Sequence, residues 1–223
     1  MKAFTCFLSV AMTLLVVELL MAGCASNNPG STSGRPGSGI AEYRQVATDA
    51  QKALGRALNS LAAVSGQSNR CSPEVLSAFS SEFQRLQVES VQIRARSQAM
   101  QARGDAYFDS WQEQMERIKE PQLRARIETQ RPAFQEHFQK IKALSQEGRE
   151  AFGPFLAGMR KVRNSLEKDP ASLRTQTMQE TLASTRAQGE KVDRHLTDIR
   201  HELDSMMAML TASGPAAKTS NPG

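Results

Sequence analysis

The sequence predicts an all-α protein, an elongated antiparallel helical bundle with three long helices, a shorter N-terminal helix and coiled-coil-like seams. Three observations carry that prediction. Apolar residues recur at alternating spacings of three and four over four stretches between residues 40 and 210, a helical period and not a strand period. Polar, turn-forming clusters separate those stretches. With 39% hydrophobic and 5% aromatic residues among 223, the core must be thin, which suits a long bundle better than a globule.

The first element is a leader. Lys2, an apolar run over residues 4–17 and the small pair Ala22-Gly23 read as a secretion signal over residues 1–23. It closes on Leu20-Met21-Ala22-Gly23-Cys24, a lipoprotein processing site: small residues admit a peptidase to the Gly23–Cys24 bond, and the Cys24 thiol carries a thioether-linked diacylglycerol. Acyl chains such as palmitate contribute about 0.8 kcal/mol per buried methylene, so two or three of them hold a protein on a membrane. Glu18 argues against a spanning helix, which takes about 20 predominantly apolar residues. By resemblance to sorting in Gram-negative bacteria, Ala25-Ser26 in place of an Asp after the cysteine implies the periplasmic face of the outer membrane, with the inner membrane as the lesser alternative.

Residues 24–39, with Arg35 as the only charge, read as a flexible tether with a reach of about 20 Å. The first helix then follows the seam Ile40, Tyr43, Ala47, Ala50, Leu54, Ala57, Leu61 and Val64. Ser65-Gly66 ends it, and Ser72-Pro73-Glu74 supplies a cap, a first-turn proline and an acid for the next start. The second seam runs from Leu76 through Phe79, Phe83, Leu86, Ser90, Ile93, Ser97, Met100, Gly104, Tyr107 and Trp111 to Ile118, where Glu120-Pro121 breaks it. The third spans Leu123 to Leu166, with Pro132 and Pro154 inside it, so a bent helix and two collinear pieces are both allowed. Asp169-Pro170 marks the last boundary; Leu173, Leu182, Val192, Leu196, Leu203 and Met206 belong to the final stripe, and residues 213–223 form a frayed tail. Each long segment should span roughly 60 to 70 Å, which places the bundle over residues 40–212. The runner-up is a coiled coil completed by dimerisation.

Gly104-Asp105-Ala106-Tyr107-Phe108-Asp109-Ser110-Trp111, with Leu123-Arg124-Ala125-Arg126 after a turn, resembles an uncharacterised family of bacterial lipoproteins with a helical domain of the DUF2959 type. The resemblance would cover about residues 40–210. It implies helical architecture and a lipoprotein address, and brings no catalytic residues.

The residues themselves offer little chemistry. His137, His195 and His201 are the three histidines, and no pair of Glu-x-x-His motifs accompanies them, so no metal site is expected. Met206 and Met209 share a helix face but read as core packing before a thioether copper site. No nucleophile elbow or phosphate loop occurs, which argues against an enzyme and against a cofactor. Once Cys6 leaves and Cys24 is lipidated, Cys71 is left without an internal disulfide partner, an unpaired thiol near a helix start. The net charge of +5 from 28 Lys plus Arg and 23 Asp plus Glu is too modest for a nucleic-acid footprint.

One surface feature stands out. Arg94, Arg96 and Arg103 on the second helix and Lys140, Lys142 and Arg149 on the third should lie at similar heights, forming an anion-binding band or a solvated surface partly paired with acids of the last helix. Two functions follow. The preferred one is an anchored, non-catalytic helical rod presenting a helix face to another envelope protein or to itself; extra apolar positions at Val75, Val88, Val91, Phe108, Leu144 and Leu156 hint at it. The alternative is a ligand-binding envelope factor that holds anionic lipid or cell-wall polymer on the basic face or in a gap between helices.

Overall fold

The computed structural model describes residues 37–212. The leader, Gly23, Cys24, most of the tether and the C-terminal tail lie outside the described residues. Helix α1 covers Gly37–Ser65, α2 Pro73–Asp109, α3 Trp111–Arg117, α4 Pro121–Lys168 and α5 Gln176–Ala212, with a 3-10 turn over Pro170–Arg174. Gly37, Ser38 and Gly39 thus belong to α1 and not to the tether.

Local chemistry sets the boundaries. The Ser72 side chain accepts from the Val75 amide, with Pro73 and Glu74 in the first turn of α2, as the sequence predicts. Asp169 caps the 3-10 turn by accepting from the Ala171 amide at 2.9 Å, and Thr175 Oγ1 accepts from the Met178 amide at 3.2 Å at the start of α5. Ser110 divides the expected second helix into α2 and α3: its hydroxyl donates to the Ala106 carbonyl at 2.9 Å, and its φ of −92° and ψ of 8° leave the helical region. Helix α4 runs unbroken for 48 residues, about 72 Å, because Pro132 and Pro154 both sit on its exposed face.

Four helices close a ring in which each neighbour is antiparallel. Arg56 pairs with Glu82 and Arg96 with Glu42, which fixes α1 against α2. Arg44 with Asp204, and Gln51 with Asp193 and Thr197, fix α1 against α5. Glu147 beside His195 and Lys140 on Glu202 fix α4 against α5. Lys142 on Asp105 and Arg163 over Phe83 fix α2 against α4. The first helix, shorter as expected, is therefore the fourth wall along part of the bundle's length.

All eight α1 seam residues are buried, as are Phe79, Phe83 and Leu86 of α2, Phe138 to Leu166 along the inner stripe of α4, and Leu182, Val192, Leu196 and Leu203 of α5. Met206 is core, as its stripe predicts. The Cys71 thiol is free and buried, and its amide donates to the Pro170 carbonyl at 3.1 Å, joining the α1–α2 loop to the α4–α5 link. None of the described helices is long and apolar enough to cross a membrane.

Candidate functional site

The basic band divides once the helices are in register. Arg96 and Arg103 turn toward α1 and share Glu42, at 3.2 and 3.7 Å. Lys142 holds Asp105 at 2.8 Å and lies over the Phe138 ring. Lys140 pairs with Glu202, a carboxylate that also takes His137 Nδ1 at 2.7 Å. Burial pushes the Glu202 carboxyl up, but the hydrogen bonds from Lys140 and His137 outweigh it and hold the group below its ordinary value. Four of the six cations are thus engaged by acids, one of them from the last helix and two residues from α1 and α2.

Arg94 and Arg149 differ. Helical spacing turns Arg94 toward α4 and Arg149 toward α2, so both exposed arginines border one cavity at the α2–α4 seam, and neither forms an ion pair among the described residues. That cavity, of about 30 Å³, also touches Tyr43, Ser90, Ile93, Ser97, Ser145, Gly148, Phe152, Leu196 and Ile199. Its volume matches one or two water molecules. The walls are small because the α2 and α4 seams carry Ser90, Ser97, Ser145 and Gly148 where larger apolar residues would interlock. Tyr43 crosses the bundle from α1: its hydroxyl bonds Ser145 Oγ at 2.9 Å, and Ser145 donates to its own helix at Ile141. Burial raises the Tyr43 phenol above its ordinary value, against smaller lowering effects from Ser145, Ser97 and the Arg149 charge.

The histidines do not converge. His137 belongs to Glu202, His195 approaches Glu147 at 3.7 Å, and His201 is exposed. Among the described residues no three His, Cys, Asp or Glu side chains form a group able to hold a metal ion.

Sequence reasoning missed one feature and saw a second only in part: of its extra apolar positions Val88 and Val91 are exposed, while Val75, Phe108, Leu144 and Leu156 pack against the core. Tyr43 was legible only as a seam residue. On α2, Ser77, Ser81, Gln84, Val88, Val91, Ala95, Gln98 and Ala102 repeat at spacings of four and three, carry no charge and are all exposed, a second seam on the side opposite the core. Val88 and Val91, at 56% and 64% exposure, are its apolar centre. Counting a three-four repeat among uncharged as well as apolar residues would have found it.

These features define a class: an antiparallel four-helix bundle with ion pairs across each of its helix seams, two arginines bordering one cavity at the α2–α4 seam, and an uncharged outer seam on α2. Residues 38–164 match the model of the family described as protein of unknown function (DUF2959), and the chain belongs to that family, as its Gly104 to Trp111 stretch suggests. Neither the curated proteins nor the solved structures yield a match.

Proposed function

We propose that this chain is a non-catalytic lipoprotein of the cell envelope, anchored through Cys24 on the periplasmic face of the outer membrane, that acts by docking the outer face of α2 on another envelope protein or on a second copy of itself. The carrying observation is the exposed, charge-free repeat from Ser77 to Ala102 with Val88 and Val91 at its centre. Charged residues are the usual means of keeping a solvated helix face apart from other proteins, and a face without them over seven turns favours helix-on-helix packing. Small residues at Ala95 and Ala102 permit close approach. Support for a non-catalytic role comes from the side chains: the Ser90, Ser145 and Ser205 hydroxyls donate to carbonyls of their own helix, and the described ring contacts of His137 and His195 are to the carboxylates of Glu202 and Glu147. The anchor rests on the processing-site chemistry at Gly23 and Cys24.

The test is photo-crosslinking in cells from Gln84, Val88, Val91 and Ala95, with Cys24→Ala as the mislocalised control and exposed positions on α4 as the control surface. Adducts to an envelope protein or to a second copy, confined to the α2 positions and lost with Cys24→Ala, are expected. Equal yields from α2 and α4 would defeat the docking face, and adducts that persist in Cys24→Ala would defeat the anchor.

A further inference from the structure

The seam between α2 and α4 poses a separate question, independent of the outer face of α2. The other described contacts tying these two helices include Lys142 on Asp105, Arg163 over the Phe83 ring, and Tyr107 and Phe108 against Phe134 and Phe138. Between the Lys142 and Arg163 contacts, Arg94 and Arg149 border one cavity, and neither forms an ion pair among the described residues. Each guanidinium presents a planar fork of donors that binds carboxylate or phosphate oxygens well, and two of them beside one cavity favour an anion there. The apolar part of the cavity lining is Ile93, Phe152, Leu196 and Ile199, beside the Tyr43 phenol that is tied to Ser145. The rest of the lining is the short side chains of Ser90, Ser97 and Ser145 and the backbone of Gly148, which leave room between the helices.

We propose that this seam binds a single-chain anionic amphiphile, with its oxyanion head group held by Arg94 and Arg149 and its alkyl chain entering between α2 and α4 over the apolar lining. A cavity of about 30 Å³ takes a water-sized guest, so entry of a chain widens the seam at its small-residue walls. The charge arrangement selects an anion. The apolar lining selects a chain, which a bare inorganic ion lacks. A two-chain lipid would need more width than one seam between small residues supplies.

The test uses the full chain in vesicles of zwitterionic lipid, a dodecanoate carrying a diazirine midway along its chain, and mapping of the photoadducts by mass spectrometry. Adducts on the peptides bearing Ile93, Phe152 or Leu196 are expected. Arg94→Ala with Arg149→Ala should lower them about tenfold or more, while Arg96→Ala with Arg103→Ala, which removes arginines already paired with Glu42, should leave them unchanged. Excess unlabelled dodecyl phosphate should compete and inorganic phosphate should not. Labelling that both arginine pairs affect equally, labelling confined to the Val88 and Val91 face, or full competition by inorganic phosphate would each overturn the proposal. All four arginines are exposed, so circular dichroism should show every variant folded.

Discussion

Two glycines on the helices of this bundle have opposite reasons to be glycine. A Cβ on Gly104 would collide with the Phe138 ring, which Phe108 backs at 5.4 Å between centroids, whereas a Cβ on Gly55 meets nothing within 4 Å. Gly104→Ala should therefore destabilise the protein by about 1–3 kcal/mol, and Gly55→Ala should stabilise it by about 0.5–1 kcal/mol by restricting the unfolded chain. Urea titrations of the two variants check both signs. The spacing of the second seam already marks Gly104 as a point of close approach, but its partner depends on helix register, which no local pattern encodes. The same limit applies to Glu202. It is buried at 4% exposure and held below the ordinary carboxylate value by Lys140 and His137. A depressed carboxyl stabilises the fold above its unfolded pKa of about 4.3 and loses that contribution as pH falls through the folded value. Glu202→Gln should then cost about 1–3 kcal/mol at neutral pH, with the gap to wild type narrowing below about pH 4. A gap that stays constant on acidification would rule out this role for the charge. The six basic residues were legible as a group. Their division into four paired cations and the Arg94–Arg149 pair was not, because it follows from which helix each faces.

At the scale of the element, the boundaries that cap chemistry announces were readable: Ser72 before Pro73, Glu120 before Pro121 and Asp169 before Pro170 each fall where the structure changes. Ser110 was not, since the spacing of Gly104, Tyr107 and Trp111 carries the seam straight past it and no glycine or proline marks the break. There the backbone yields to side-chain hydrogen bonds, with Ser110 bonding back to Ala106 and Gln114 donating to Ser110 Oγ at 2.6 Å. The prolines of α4 left two geometries open, and exposure decides between them. With both rings on the solvent side, α4 stays continuous and lacks only the amide that each proline would have donated toward Glu128 or Glu150. Pro154→Ala and Pro132→Ala should each raise unfolding stability by about 1–2 kcal/mol, after the loss of proline's restriction on the unfolded chain. Scanning calorimetry would show it as a higher Tm. A lower Tm for Pro154→Ala would mean that α4 needs the proline's bend to follow the bundle.

Across the bundle, apolar burial is uneven. The main core joins α1, α2, α4 and α5, and the first buried residue of α4 is Phe138, well past the helix start at Pro121. Trp111 and Met115 are buried outside that core. A chain of rings links them to it: Tyr107 lies 5.3 Å from Trp111, Phe108 is 6.0 Å from Phe134, and Arg131 sits 5.2 Å over the Trp111 ring. The aromatic cluster was visible in the sequence as part of one continuous seam, and its partial separation was not, because separation depends on where the neighbouring helices cease to cover it. A satellite cluster with few buried apolar neighbours should open at lower cost than the main core. Trp111 is the sole tryptophan, so its fluorescence reports on this end alone, while far-ultraviolet circular dichroism averages over all the helices. In urea the fluorescence transition should precede the helical one, and amide exchange over residues 111–131 should outpace that over residues 152–166 by an order of magnitude or more, about 1.4 kcal/mol of local stability per factor of ten. Coincident transitions with equal protection would mean that the ring chain from Trp111 through Phe108 to Phe138 couples the two clusters into one cooperative unit. In that case Phe108→Ala, which removes the central ring, should separate them.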